Sequence, residues 1–121
     1  MNKNGFTLIE VLAALVILAI GLLALASLQV TSVYGSFFSN NVTHATVLAQ
    51  DRLEQLKNLP WDDAALGGGN HNDGAIPNTI FSRQYTVVDT TSTMKRITVN
   101  VQWTDRVDHS IKLSTIRYRP Q

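Results

Sequence analysis

The residues best placed to do chemistry are a glutamate inside an apolar run and the Gly-Phe pair just before it. Glu10 stands near the start of a run from Phe6 to Leu28 that is otherwise almost wholly apolar. An ionised group inside a bilayer costs a few kcal/mol, so a carboxylate there predicts a functional role and a partner. A cut between Gly5 and Phe6 would create an α-amine one helical turn from Glu10, and that amine could be the partner. Gly5 suits such a cut because it has no side chain to block a protease and disfavours helix.

The run from Phe6 to Leu28 has the length and composition of a membrane span. As an α-helix it would extend roughly 34 Å, against a hydrocarbon core of about 30 Å. Lys3 precedes it and the next Lys or Arg is Arg52, so the positive-inside tendency places the N-terminus in the cytoplasm. A cleaved secretory signal is the alternative, since the small residues within 24–27 could form a cleavage site. A signal peptide, however, has no use for a glutamate in its apolar core.

This part of the chain resembles the N-terminal signature of type IV prepilins and type II secretion pseudopilins. A short basic leader is followed by GFTLIEVLAALVILAIGLLALASLQ, which places Gly, Phe, a hydroxyl residue, two aliphatic residues and Glu before an apolar helix. The resemblance implies that Gly5 precedes the prepilin peptidase cut and that Phe6 becomes the N-methylated first residue of the mature protein. It also implies that Glu10 pairs with a neighbouring subunit's N-terminal amine during assembly. The run EVLAALVILAIGLLALASLQ is most similar to PilV-type minor pilins.

The resemblance implies a structural role and not an enzymatic one, with no cofactor. Residues 1–5 would be the leader peptide, and the protein would be a minor type IV pilin that enters the pilus or primes its assembly. Its expected partners are prepilin peptidase, other major and minor pilins or pseudopilins, inner-membrane lipid and the inner-membrane assembly platform. It would cross the inner membrane once, with its N-terminus cytoplasmic, before reaching the periplasm or the extracellular pilus.

Two alternatives stay open. The minor pseudopilin of the I type, from type II secretion systems, carries the same signature. In that family the outermost tip subunit often lacks the glutamate, so Glu10 favours a subunit with another below it. The second alternative is of a different class: a single membrane anchor that carries a periplasmic binding or sensor module. That alternative predicts an uncut chain beginning at Met1.

Beyond the span, residues 29–59 are expected to continue the same helix as an amphipathic half. The stretch QVTSVYGSFFSNNV contains weak helix formers, but from Val42 onward apolar residues recur every three or four positions. Pro60 should end the helix at Leu59, because proline disfavours helix in the residue before it. We therefore expect one helix from Phe6 to Leu59. Its apolar stripe comprises Val42, Ala45, Ala49, Leu53, Leu56 and Leu59.

Residues 60–79, PWDDAALGGGNHNDGAIPNT, are turn-forming throughout and predict a flexible polar loop. Their carboxylates and amides are oxygen ligands of the kind that calcium takes, but the EF-hand spacing is not followed. We therefore expect no metal. The candidate oxygen ligands are Asp62, Asp63, Asn70, Asn72 and Asp73.

Residues 80–121 predict an antiparallel β-meander with one apolar face. The clearest strand is Lys95–Thr104, in which Ile97, Val99, Val101 and Trp103 alternate with polar residues. A further strand is expected over His109–Tyr118, with a phase slip near its end that suggests a bulge or a strand end. Ahead of both strands, Phe81, Tyr85 and Val87 are expected to face inward. Within the strand His109–Tyr118, the inward residues are Ile111 and Leu113. The predicted fold class is α+β, a long helix packed on a small antiparallel sheet, with residues 29–121 forming the periplasmic globular domain.

No catalytic constellation is visible in the sequence. Cysteine does not occur, and His44, His71 and His109 follow no motif spacing, so each is expected at the surface. Residues 79–121 are net basic and residues 51–78 net acidic, so the two could attract each other or complementary neighbours. Arg96, Lys112 and Tyr118 could share the outward face of the sheet, as in a nucleic-acid surface, but nucleic acid is not expected as a partner.

Overall fold

The computed structural model describes residue 5 and residues 7–121, and shows one long α-helix followed by four β-strands. The elements are α1 (Leu8–Lys57), a short 3₁₀ helix (Ala64–Leu66), β1 (Gly69–Ala75), β2 (Ser82–Thr91), β3 (Met94–Thr104) and β4 (Asp108–Tyr118). The chain divides into two compact units, one that ends at Ser39 and one that comprises Asn40–Gln121. Helix α1 contributes residues to both.

In the first unit, α1 exposes apolar side chains on all sides. Ile9 is 78% exposed and Leu23 is 72% exposed, and no described residue of this unit is buried. By length and composition α1 could cross a membrane. Apolar surface on this scale requires a cover of lipid or of neighbouring protein.

In the second unit, the end of α1 packs on one face of an antiparallel sheet with the strand order β1-β2-β3-β4. The predicted alternation in β3 is confirmed, because Ile97, Val99 and Val101 are fully buried. Burial of each aliphatic side chain of this size stabilises the fold by about 1.5–3 kcal/mol. The architecture is therefore the predicted α+β one. The core comprises Ala45, Ala49, Leu56, Leu66, Phe81, Tyr85, Val87, Ile97, Val99, Val101 and Trp103.

The predicted apolar stripe is the face of α1 that packs on the sheet. Ala45, Ala49 and Leu56 are fully buried. The other stripe residues pack against the same core in partly buried positions, as do the inward residues of β4. These partly buried residues are Val42, Leu53, Leu59, Ile111 and Leu113.

The helix and the compact unit have boundaries that differ from the predicted ones. The helix ends at Lys57 instead of Leu59, because the chain tightens into a turn ahead of the proline. The predicted helix start at Phe6 lies outside the described residues. The compact unit begins at Asn40, whereas the sequence predicts a globular domain over residues 29–121. The described side chains of α1 before Asn40 are exposed.

The prediction of a loop over residues 60–79 is wrong in two places. The segment contains the 3₁₀ helix, which Asp63 caps by accepting the Ala65 N–H at 2.9 Å, and the strand β1. The strand has poor intrinsic strand propensity, since its sequence is GNHNDGA. Its pairing with β2 overrides that propensity, and Gly69 and Gly74 supply the positive φ angles of 115° and 78°.

Of the two interpretations of the phase slip in β4, the strand end is confirmed at Tyr118 and the bulge is wrong. The register with β3 runs without a shift from Thr104↔Asp108 to Met94↔Tyr118. The side chains of β4 continue to alternate between the two faces of the sheet, but the apolar residues change face, because Ile116 faces outward at 42% exposure. Arg117 takes the inward position next to it.

Candidate functional site

The candidate site is the N-terminal end of α1, where Thr7 and Glu10 hold each other by two hydrogen bonds. The Thr7 N–H donates to Glu10 Oε2 at 3.3 Å, and the Glu10 N–H donates to Thr7 Oγ1 at 3.2 Å. The Val11 N–H donates to the Thr7 carbonyl at 3.0 Å, so Thr7 is the N-cap of the helix. This reciprocal arrangement is a capping box. The capping side chain contributes about 1 kcal/mol to the helix.

The capping box fixes the place of the Glu10 carboxylate. The carboxylate lies in the first turn of α1, where the positive end of the helix dipole favours a negative charge. The bond from Thr7 occupies Oε2, so Oε1 can accept a hydrogen bond from a cation that arrives at this end of the helix. The site can therefore bind an amine without releasing its hold on Thr7.

An apolar groove runs along the helix beside the carboxylate. It is shallow, and its only polar side chain among the described residues is that of Glu10. A small residue within the groove allows another helix to approach closely in lipid. The groove therefore suits an apolar helix whose charged end lies next to Glu10. Its lining residues are Glu10, Val11, Ala14, Leu15 and Leu18.

The predicted cleavage position is open to approach on its Gly5 side. Gly5 is exposed, and a Cβ placed on it would meet no atom within 4 Å. Phe6, the predicted methylation site, lies outside the described residues. The cleavage at Gly5–Phe6 and the methylation of Phe6 thus remain predictions, as does the docking role of Glu10.

Thr7 is the residue that sequence reasoning passed over. The signature includes it only as a hydroxyl residue, without a role. The available signal was the pattern of Ser or Thr followed three residues later by Glu, ahead of an apolar run, which predicts a capping box. In this chain the pattern is met by Thr7 and Glu10.

Three basic residues of the sheet point towards α1 and the segment after it. Arg83 donates to the Leu48 carbonyl at 3.1 Å, and Arg117 donates to the Leu56 carbonyl at 2.9 Å. Lys95 donates to two backbone carbonyls of the segment that follows the helix. Arg83 and Arg117 hold the helix to the sheet and Lys95 holds the segment after it, so these cations do not contribute to an outward basic surface.

The outward face of the sheet keeps the three residues predicted for it. Arg96, Lys112 and Tyr118 are all exposed there. Ile116 lies directly opposite Arg96 in the ladder, and Thr98 and Ser114 are hydrogen-bonded to each other at 2.9 Å. This face therefore combines polar side chains and a modest positive charge with the exposed Ile116.

The carboxylates considered for calcium include one that is engaged by two arginines. Asp73 Oδ2 lies 2.9 Å from Nε of Arg52 and 3.0 Å from Nε of Arg83. Asn72 accepts the Gly74 N–H at 2.8 Å. Across the described residues, no group of three or more His, Cys, Asp or Glu side chains is placed to hold a metal ion.

The histidines are less exposed than the sequence predicts. His44 is exposed, but His71 and His109 are half-buried. His71 stacks on Tyr85 with ring centroids 4.6 Å apart, and its Nε2 lies 2.6 Å from the Gly67 carbonyl oxygen. These two residues are thus partly covered at the surface, because β1 and β4 fold their imidazoles against neighbouring rings.

Comparison with known proteins identifies the N-terminal segment. Residues 1–26 match a family model described as the prokaryotic N-terminal methylation motif. This motif is the signal of type IV pilins and pseudopilins, and it includes the Gly-Phe step, Thr7 and Glu10. No curated protein and no solved structure matches the chain.

Proposed function

With the methylation motif of pilins and pseudopilins as the premise, we propose that this protein is a minor type IV pilin of the PilV kind. Prepilin peptidase cuts it after Gly5 and methylates Phe6, and the mature subunit enters the pilus or primes its assembly. The observation that supports this proposal most directly is the motif itself, joined to a long apolar helix and an α+β unit. The PilV assignment rests on the similarity of residues 10–29 to that group.

The cut creates the charge that Glu10 needs. Before cleavage, the peptide bond between Gly5 and Phe6 carries no ionisable group. After cleavage, the Phe6 amine bears a positive charge four residues before Glu10, which is about one helical turn. In the proposed mechanism, Glu10 of one subunit receives the N-terminal amine of its neighbour through Oε1, while Oε2 stays bound to Thr7.

Helix packing supplies the cohesion, and the charge pair supplies the register. The exposed apolar side chains of α1 leave lipid for contact with neighbouring helices. An amine and a carboxylate that pair with each other can be buried between the helices, whereas a single unpaired charge in that apolar medium costs about 3–5 kcal/mol. A subunit whose amine and carboxylate are out of register is therefore rejected.

The intact mass of the protein isolated from membranes tests this proposal. We expect a chain that begins at Phe6 and carries one N-methyl group, which is a net gain of CH2 in mass. A chain that begins at Met1 would contradict the proposal and support a membrane-anchored sensor or binding module.

The pseudopilin alternative has the same motif and needs a separate experiment. Deletion of the gene should remove or reduce surface pili if the protein is a minor pilin. Intact piliation together with lost protein secretion would instead assign the protein to a type II secretion system as an I-type minor pseudopilin.

A further inference from the structure

Strand β4 forms a long and regular edge of the sheet. Its pairing with β3 covers the whole of Asp108–Tyr118 without a bulge, and no described strand pairs with its other side. The Arg119 N–H donates to the Thr93 carbonyl at 2.8 Å. In this register the odd-numbered residues of β4 therefore form the backbone hydrogen bonds to β3. Residues of β4 with even numbers, such as Lys112 and Ser114, therefore direct their N–H and C=O groups away from β3.

A groove lies between this free edge and α1. One wall is formed by residues 113–115 of β4, and the other is the flank of α1 over residues 50–57. Leu53 and Leu113 form its apolar part, and both pack partly buried against the core. A strand added to β4 would place alternate side chains on these two leucines, because successive side chains of a strand point to opposite faces.

The helix wall of the groove is acidic. Asp51 and Glu54 are exposed there, and no ion pair involves either of them among the described residues. Lys57 lies one turn further along the same wall. An occupant that carries positive side chains opposite Asp51 and Glu54 would complement this wall.

A second copy of this chain fits the groove less well. Two β4 edges that pair about a twofold axis would present the same surface to each other. The acidic helix residues of both copies would then flank one junction, which opposes like charges. The charge of the groove therefore favours a different protein with a basic segment.

We infer that this groove binds an extended segment of another protein by strand addition to β4. The segment presents apolar side chains to Leu53 and Leu113 and basic side chains to Asp51 and Glu54, and its backbone bonds to the edge around Ser114. This inference concerns the second unit alone and does not require cleavage at Gly5.

Fluorescence anisotropy with labelled peptides tests the inference on the full chain in non-ionic detergent. The probe is a peptide about eight residues long, as a typical strand is, in which every second residue is threonine and the residues between are valine and lysine in turn, so that valine and lysine face the groove together. Its counterpart has glutamate in place of lysine, and empty micelles give the background. We expect the lysine peptide to bind at least about tenfold more tightly than the glutamate peptide, a difference of about 1.4 kcal/mol.

Ser114→Pro and Ser114→Ala form the matched pair of variants. Proline is tolerated at an edge position whose N–H faces solvent, and it removes the donor that an added strand needs. Alanine changes the same side chain and keeps the N–H. We expect Ser114→Pro to weaken binding of the lysine peptide by about tenfold or more and Ser114→Ala to retain it. Circular dichroism verifies that the proline variant is folded.

The double variant Asp51→Asn with Glu54→Gln tests the charge without touching the edge. It should abolish the preference for lysine over glutamate. Equal binding to Ser114→Pro and Ser114→Ala, an unchanged preference in the double variant, or no binding of the lysine peptide would each overturn the inference. Because the chain has no cysteine, Ser114→Cys also reports on a second copy. A disulfide-linked dimer of that variant would replace the inferred partner with another copy of this chain.

Discussion

Arg117 donates a hydrogen bond from Nη1 to the carbonyl oxygen of Leu56 at 2.9 Å, and so ties the last strand to the last turn of α1. Carbonyls in the last turn of a helix have no intrahelical partner, and Leu56 is fully buried. The guanidinium also lies 5.9 Å from the ring centroid of Trp61. Arg117 thus provides a hydrogen bond and a positive charge at the negative end of the helix dipole.

Replacement of Arg117 should destabilise the second unit. Arg117→Ala leaves the Leu56 carbonyl with only the long bond from the Leu59 N–H at 3.4 Å, and we expect the free energy of unfolding to fall by about 1–2 kcal/mol. Urea unfolding followed by circular dichroism measures the change. Arg119→Ala is the matched control, since that residue is exposed. A similar effect of the two variants would contradict the role given to Arg117.

Asp73 should prove essential to the attachment of β1. Asp73→Ala leaves Arg52 and Arg83, with side chains 21% and 17% exposed, without their shared carboxylate. We expect a loss of about 1–3 kcal/mol in the free energy of unfolding, because charged groups are left poorly paired. Asp62→Ala, which removes an exposed acid from the same segment, should change stability little. Thermal unfolding of both variants distinguishes these outcomes, and equal melting temperatures would refute the expectation.

Removal of the Glu10 carboxylate should block assembly while the protein still enters the membrane. In the proposed docking mechanism, Glu10→Ala and Glu10→Gln both leave the neighbour's amine without a counter-charge, which costs about 3–5 kcal/mol in an apolar medium. The amount of subunit in sheared surface fibres, relative to the membrane fraction, measures assembly. Asp62→Ala is the control acid outside the helix. Normal fibre incorporation of Glu10→Ala would show that the carboxylate does not guide docking.

Thr7 should affect the assembly of subunits into fibres through its hydroxyl group. Thr7→Val removes the oxygen that accepts the Glu10 N–H, at a cost of about 1 kcal/mol to the helix N-terminus. Thr7→Ser retains the hydroxyl. We therefore expect reduced incorporation of Thr7→Val into fibres and near-normal incorporation of Thr7→Ser. Intact masses must first show that both variants are cut, so that a defect in processing is separated from one in docking.

The second unit should lose stability at alkaline pH because of Tyr85. Burial raises the pKa of Tyr85 above its ordinary value of 10.0, and the nearby Arg52 offsets only part of that rise. Since the folded pKa exceeds the unfolded one, this contribution to stability is complete below pH 10.0 and is lost as pH rises through the folded pKa.

Tyr85→Phe removes the titration and flattens the alkaline limb of a plot of unfolding free energy against pH. It also removes the bond from the Tyr85 hydroxyl to the Ala65 carbonyl, which is 2.8 Å long, at about 1 kcal/mol near neutral pH. Tyr118→Phe is the control, because Tyr118 is 65% exposed. An alkaline limb that Tyr85→Phe leaves unchanged would assign the pH dependence to other groups.

Local patterns in the sequence predicted much of this fold. The three-to-four residue spacing from Val42 onward predicted the buried stripe of α1, and the alternation from Ile97 to Trp103 predicted the buried face of β3. Both periods are set by neighbours along the chain, so they can be read without knowledge of the tertiary structure. The candidate site at Gly5, Phe6 and Glu10 was likewise predicted from a local motif.

Contacts between distant residues decided the rest. Strand β1 consists of residues that favour turns, and only its pairing with β2 and the ion pairs of Asp73 make it a strand. The inward direction of Arg83, Lys95 and Arg117 depends on carbonyl groups that lie far away in the sequence. No local period encodes such partners. The sequence by itself thus determined the helix, the apolar faces and the N-terminal motif, while only the tertiary structure decided where the cations point and which edge of the sheet stays open.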